Sequence, residues 1–354
     1  MAKIVRVCLV GAGRAGQVHA GSLTEHIPGG ALAALVDPDS MALEKAGARF
    51  GVEARFTSLG EAIDKADFDA VIITTPTFTH RDLVVQAAVA GKHIFCEKPM
   101  ALSLEECDQM LAAAERNGVL LQLGFMRRFD SDFQAAAARI EAGEIGKPMV
   151  IKSLTHGPGL PPPWARDLRT SNGMLAEVNS HDFDSVRWLA HSDPEGVYAE
   201  VSNFKGEKHA VNTPNFFDTA LVNIRFESNA LASISGVCPC DYGYDARVEI
   251  VGEKGLIQIG AIQGQSVVVC TDREHGIVTP IYRSWPERFG SAYVREMKHF
   301  LTCVRTETKP SVSGRDGRWA VALVLAANQS FQQQRRVRIA ELLEGVTHAS
   351  EARA

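Results

Sequence analysis

The chain has 354 residues, 45% of them apolar and 22% charged, and a formal net charge of −5. These are the proportions of an ordinary globular protein of about two domains, and they exclude the basic surface that nucleic acid or an anionic bilayer requires. No apolar run approaches the roughly 20 residues that cross a bilayer, the first residues enter a strand pattern, so that no leader is expected, and seven scattered cysteines, with Cys238-Pro-Cys240 the only close pair, fit neither a disulfide framework nor a metal site. Buried free thiols, no metal and a cytoplasmic location are expected.

Residues 4–10 read as a strand buried on both faces, followed at once by Gly11-x-Gly13-x-x-Gly16 and a helix from about Ala15. Strands at 31–36, 70–74, 92–96 and 120–124 alternate with helices at 42–50, 80–90 and 104–117. Ser103 and Glu106 form a capping box at the last of these helices. Such alternation predicts a parallel sheet with helices on both faces. The pattern changes near residue 127, so the expected division is 1–126 and 127–354, with the last helices free to pack back on the first domain. Beyond it come a helix at 133–142, a strand at 149–154, a proline-rich loop at 157–163 and a helical pattern over 174–189. Strands follow at 197–201, 217–226, 230–237, 247–251, 256–259 and 266–270, closely spaced and therefore mostly antiparallel. Helices at 286–306 and 316–335 close the chain, and a frayed tail is expected over 348–354.

Three segments carry chemistry. The glycine fingerprint lies between a strand and a helix, with Asp37 at the end of the next strand, the full context of a dinucleotide site. Gly11 makes the turn, Gly13 admits the pyrophosphate and Gly16 lets helix meet strand. Arg14, Ala15 and Thr75 border the site. Asp37 favours NAD by binding ribose hydroxyls and repelling a 2′-phosphate. Glu97-Lys98-Pro99 ends a strand of the same sheet, where such folds bind ligands. Lys98 supplies the positive charge that a metal provides elsewhere for a developing alkoxide, and Glu97 holds Lys98 or meets the nicotinamide ribose. Glu177, His181 and Asp184 fall at i, i+4 and i+7, one face of a continuous helix. His181 is suited to accept the alcohol proton, with Glu177 orienting it or binding a substrate hydroxyl. Arg127, His156, Trp164, Tyr242 and Tyr244 are further candidates for the substrate pocket. Surface solvation competes for one of Arg127 and Arg128, and one of the two tyrosines is expected to bond a hydroxyl while the other packs. His80 caps or packs near the cofactor.

These motifs resemble the glucose–fructose oxidoreductase/inositol dehydrogenase (Gfo/Idh/MocA) family, and within it the inositol 2-dehydrogenases. Thr75-Pro-Thr-Phe-Thr-His80, Phe95-Cys-Glu-Lys-Pro-Met100, Gly124-Phe-Met-Arg-Arg-Phe-Asp130, the stretch from Tyr242 to Glu253 and Gly314-Arg-Asp-Gly317 with Ala326-Ala-Asn-Gln-Ser330 carry the likeness over nearly the whole chain. The resemblance implies an N-terminal Rossmann domain, a C-terminal α/β domain with an open, mostly antiparallel sheet, and dimers or tetramers built on that sheet. It also implies metal-free, NAD-dependent oxidation of a cyclic polyol, with Lys98 at the substrate and nicotinamide and His181 in acid–base catalysis. Glu177 stands where the inositol enzymes usually carry aspartate, and His156-Gly-Pro where they tend to have His-Arg-Asn, which points to a reshaped pocket. A pyranose or anhydrosugar dehydrogenase or reductase, and a non-catalytic NAD-binding sensor, are the alternatives.

Overall fold

The computed structural model describes residues 4–209, 213, 215–261, 264, 269–270, 277–278 and 280–343. The expected tail 348–354 and the start of the expected strand at 266–270 lie outside them. The chain forms two compact units, Met1–Asp130 with Ser291–Val321, and Ser131–Gly290 with Ala322–Ala354.

The first unit opens with β1 (Val5–Val10), α1 (Arg14–His26), β2 (Gly30–Val36), α2 (Ser40–Phe50), β3 (Arg55–Phe56) and α3 (Leu59–Lys65). It continues through β4 (Ala70–Ile73), α4 (His80–Val89), β5 (His93–Glu97), α5 (Leu104–Arg116) and β6 (Leu121–Gly124). All six strands are parallel, in the order β3-β2-β1-β4-β5-β6. The near-continuous apolar runs of β1 and β4 are those of strands covered on both faces. The order reverses between β1 and β4, so the crevice beyond their carboxyl ends is the ligand position of such a sheet. α5 begins as expected: the Ser103 hydroxyl accepts the Glu106 N–H at 3.1 Å, and the Glu106 carboxylate accepts the Leu102 N–H at 2.9 Å.

The second unit contains α6 (Ser131–Glu141), β7 (Pro148–His156) and three short helices, α7 (Pro163–Arg166), α8 (Leu168–Ser171) and α9 (Gly173–Glu177). Then come α10 (Ser180–Ala190), β8 (Pro194–Ser202), β9 (Thr219–Phe226), β10 (Leu231–Val237), β11 (Asp245–Gly252) and β12 (Leu256–Ile259). A small pair, β13 (Val269–Cys270) with β14 (Ile277–Val278), precedes α11 (Trp285–Thr306), α12 (Gly314–Gln333) and β15 (Val337–Arg338). The seven-stranded sheet runs β12-β11-β7-β10-β9-β8-β15, antiparallel except where β7 meets β10. Burial alternates along β9 and β10, with Ala220, Val222, Ile224, Ala232 and Ile234 inside. The opposite face carries polar side chains such as Lys152, whose ammonium meets Glu249 at 3.0 Å.

One expected element is corrected. The helical pattern over 174–189 is two helices, α9 and α10, broken at Val178 and Asn179. Asn179 sits at φ −92°, ψ 0° and its side chain donates to Asp182 at 2.9 Å, a local bond that competes with helix continuation. Glu177 therefore ends one helix and His181 begins the next.

Helix α11 brings Met297, Phe300, Leu301 and Val304 into the core formed by β1, β2 and α1 in the first unit. The six cysteines whose side chains are described are buried and free, and burial pushes the Cys8 thiol up to about 12, which keeps it protonated and unreactive. Among the described residues no helix is long and apolar enough to cross a membrane.

Candidate active site

The three fingerprint glycines do different work. Gly11 has φ +99°, and a Cβ there would lie 2.9 Å from the Thr74 backbone. A Cβ on Gly16 would lie 2.0 Å from the Gly11 carbonyl oxygen. Both positions exclude a side chain on packing grounds alone. Gly13 has nothing within 4 Å of its missing Cβ; the space is open at the N-terminus of α1, where Gly13 gives no side-chain cap. That end of a helix holds a phosphate well. Asp37 follows β2, and its two oxygens accept the Ala12 N–H at 2.7 Å and the Asp39 N–H at 2.9 Å. Each oxygen keeps a lone pair for a ribose hydroxyl. Arg14, exposed, and Ala15 open α1 beside this turn. The residues present thus fit NAD.

The turns after β4 and β5 are tied together by His80. Its Nε2 lies 2.8 Å from the Thr75 carbonyl and its Nδ1 2.9 Å from the Pro99 carbonyl. Burial pushes His80 below the ordinary histidine value while the two carbonyls pull it back. The Thr75 hydroxyl meets that of Thr79 at 2.6 Å. The Lys98–Pro99 peptide bond is cis.

Glu97 is buried, and it turns inward. One carboxylate oxygen accepts the Lys98 backbone N–H at 3.0 Å, and the other meets His19 Nε2 at 2.7 Å. The first of these contacts holds the Lys98 backbone amide. Gly124, opposite Glu97 in β6, makes the room: a Cβ there would lie 3.0 Å from the carboxylate. His19 was not foreseen from the sequence. The available signal was a histidine on the buried side of α1, where Gly16, Ala20 and Leu23 set the pattern.

Arg127 and Arg128 sit in the short 3-10 turn Met126–Phe129. The solvated reading offered for one of them is corrected: Arg127 is fully buried, and Arg128 is mostly buried and bonded to Asp316 at 3.2 Å. An arginine's burial depends on partners distant in sequence, which local pattern does not show.

In the second unit His181 is buried in the first turn of α10. Its neighbour Asp182 accepts from Ser153 at 2.5 Å, Thr155 at 2.6 Å and Asn179 at 2.9 Å. Ser153 and Thr155 are alternate residues of β7 and so share a face. The start of α10 is thereby pinned to the middle of the sheet. Gly236 leaves space for Asn179, since a Cβ there would lie 2.2 Å from the amide oxygen. None of these supporting residues was foreseen. Glu177 is half-buried at the end of α9, and Asp184 is buried.

His156 ends β7 and heads a directed chain of hydrogen bonds. Its Nε2 pairs with the Ser235 hydroxyl at 3.0 Å, its Nδ1 with the Tyr242 hydroxyl, and Tyr242 donates to Asp245 at 3.0 Å. With the Tyr242 hydroxyl donating to Asp245, Nδ1 is the nitrogen that donates to Tyr242. Burial likewise pushes His156 below the ordinary value. Arg247 grips Asp245 at 2.7 and 2.9 Å. Tyr244 is buried edge-on to Phe289 at 6.2 Å, while the Tyr242 hydroxyl bonds His156 and Asp245. Trp164 lies half-buried in α7, its carbonyl accepting from Thr170. Lys98, Arg127 and the cofactor residues belong to the first unit, and His156, Trp164, Glu177, His181, Tyr242 and Tyr244 to the second. Among the described residues no three His, Cys, Asp or Glu side chains converge as a metal ion would need.

A doubly wound sheet with an open glycine turn at its reversal point, an acid after β2 and a lysine after β5 has the layout of a dinucleotide-binding domain. Comparison with known proteins narrows this. Residues 5–125 match the model of the oxidoreductase family with an NAD-binding Rossmann fold, and residues 133–258 the GFO/IDH/MocA C-terminal domain. A scyllo-inositol 2-dehydrogenase (NAD(+)) of Bacillus subtilis is 36% identical over 93% of this chain and 94% of its own. A myo-inositol 2-dehydrogenase of Thermotoga maritima is 34% identical over 96% of this chain and 100% of its own. The crystal structure of scyllo-inositol dehydrogenase from Lactobacillus casei with bound NAD(H) and scyllo-inositol is similar at a TM-score of 0.86 and 27% identity, over 96% of this chain and 100% of that one. The chain belongs to the Gfo/Idh/MocA family and is an NAD-dependent dehydrogenase acting on a CH–OH donor.

Proposed function

We propose that the enzyme oxidises a ring secondary alcohol of an inositol-type cyclic polyol to the ketone. The observation that carries this is the lysine turn: Glu97 and His80 hold Lys98 at the carboxyl end of a strand in the cofactor sheet. Bound NAD accepts the hydride. The Lys98 ammonium stabilises negative charge that develops on the alcohol oxygen, where fixed charge acts most strongly. His181 takes the hydroxyl proton, and Glu177 orients it or binds a substrate hydroxyl. His156 and Tyr242, already ordered by Ser235 and Asp245, recognise substrate hydroxyls. The names of the two relatives and of the inositol-bound neighbour support the substrate class. Glu177 and His156-Gly-Pro, where the resemblance leads one to expect aspartate and His-Arg-Asn, favour a pyranose or anhydrosugar as the second reading. The protein associates with copies of itself through the open face of the seven-stranded sheet.

The test is NAD reduction measured across inositol stereoisomers and aldoses, with NADP in parallel. Turnover with at least one inositol and a better specificity constant for NAD is expected. Asp37→Ser should weaken NAD use and relax discrimination against NADP. Activity confined to aldoses selects the second reading, and no activity with any polyol or sugar selects a non-catalytic sensor.

A further inference from the structure

The proposed chemistry leaves several buried ionisable groups of the first unit unused, Glu296 among them. Glu296, on α11, is fully buried, and among the described residues neither of its carboxyl oxygens has a hydrogen-bond partner. It lies within electrostatic reach of Glu97. Both belong to the polar cluster beneath the lysine turn. Phe95 and Glu97 point to one face of the sheet, as alternate residues of β5 do, and Phe95 pairs in register with Gln122. The ring of His19 meets the edges of Phe95 at 4.9 Å and Tyr293 at 5.4 Å, and Phe95 meets Phe300 at 5.8 Å, so α1 and α11 cover this face. Gln122 is buried too, and its amide donates to the Glu296 backbone carbonyl at 3.4 Å.

We propose that Glu296 is a positioning residue for the Lys98 turn: a carboxylic acid that stays protonated in the folded enzyme, so that no second charge stands against the carboxyl group that holds the Lys98 amide and His19. Two carboxylates in electrostatic contact in a dry interior do not both stay ionised. Among the described residues Glu97 has two hydrogen-bond partners, the Lys98 N–H and His19, and Glu296 has none. The proton therefore resides on Glu296. Burial first, and then the charge of Glu97, hold Glu296 well above the ordinary carboxylate range. Glu97 from β5 is the titratable group within electrostatic reach of it; His19 from α1 bonds Glu97 and packs on Tyr293, which shares the helix of Glu296. Arg295 and His299 of that helix are engaged with the Phe129 carbonyl and with Ser311.

The consequence is directional. When alkaline pH removes the Glu296 proton, a second negative charge stands against Glu97 and the grip on Lys98 loosens. Above the ordinary carboxylate range the unfolded chain has already released this proton while the native protein retains it. Native stability therefore falls as pH rises towards the Glu296 value.

The inference rests on the catalytic reading of Lys98, and its test has parts that need no substrate. The infrared difference spectrum between the wild type and Glu296→Gln should show a protonated-carboxyl band at neutral pH; a carboxylate band in its place overturns the proposal. Glu296→Gln should also flatten the alkaline fall in thermal stability, and an unchanged slope counts against it. For turnover, Glu296→Ala should lose about tenfold to a hundredfold through a displaced lysine turn, and the neutral isostere Glu296→Gln should recover most of that loss. It should also move the alkaline limb of the turnover profile up by about one pH unit or more. A glutamine variant as damaged as the alanine one, or an unmoved limb, overturns the proposal. Should Glu296→Ala fail to fold, the glutamine variant alone decides. Wild-type enzyme inactive on every polyol and sugar would instead overturn the function proposed above and leave the infrared and stability results to be read independently.

Discussion

The turn that carries Lys98 and the helix that carries His181 are held by different kinds of polar network. Under Lys98 the supporting groups can change charge: Glu97, His19 and Glu296 are all ionisable, and all are buried. Behind His181 one carboxylate, Asp182, gathers two hydroxyls and an amide, donors whose charge does not vary with pH. Both networks fix the backbone that bears a candidate catalytic residue: Glu97 binds the Lys98 amide, and Asp182 ties the start of α10 to β7. On the proposal for Glu296, a change of pH reaches the first through its second carboxyl group, while the partners that Asp182 gathers are neutral hydroxyls and an amide.

The strongest way to break this comparison is Lys98→Met, which keeps the aliphatic stem and removes the charge. It should cost about 3 kcal/mol or more of transition-state stabilisation, the scale of losing a preorganised donor at a developing oxyanion. The loss should fall on kcat, while NAD affinity measured by fluorescence titration changes little, since the glycine turn and Asp37 are intact. Turnover that survives the change would leave the ionisable network with no chemistry to support.

His181→Ala comes next. Turnover should drop by about 10²-fold, the usual contribution of a positioned general base, and NAD affinity should again hold. A variant with near-normal turnover removes His181 from the mechanism, and the neutral network then serves the fold only.

The smallest effect sharpens the contrast. Asp182→Ala strands three buried donors and should destabilise the protein by about 2 kcal/mol or more. Asp182→Asn keeps one carbonyl acceptor and should fall between. Thermal unfolding ranks the three proteins, and pH–rate profiles of wild type and Asp182→Asn should share one shape, unlike the pair made by wild type and Glu296→Gln. A shifted limb in Asp182→Asn would mean that both networks sense pH.

The elements legible in the sequence were those whose signals are local. Apolar runs marked β1 and β4, Ser103 and Glu106 marked the start of α5, and the glycine spacing with Asp37 marked the cofactor turn. The strands of the second sheet were legible through their close spacing, and burial then alternates along β9 and β10 even where exposed Leu221 interrupts the polar face. What stayed hidden depends on partners far along the chain. The break at Asn179 arises from a side-chain bond to Asp182, itself held by β7, and 3.6-residue periodicity passes straight over it. His19 and Glu296 occupy helix positions that an apolar pattern would fill. A polar residue there reads as an interruption until the neighbouring elements show what it faces. Arg127 is a further case, since nothing around it in the chain distinguishes a buried guanidinium from a solvated one.

Gly13 differs from its two partners in the fingerprint in having open space where its side chain would be. Gly11 and Gly16 answer to the architecture: a methyl group at either collides with backbone before any ligand arrives. Position 13 answers to the guest alone. A motif usually scored as one string is therefore two tests overlaid, one for whether the turn can be built and one for whether anything can rest on it.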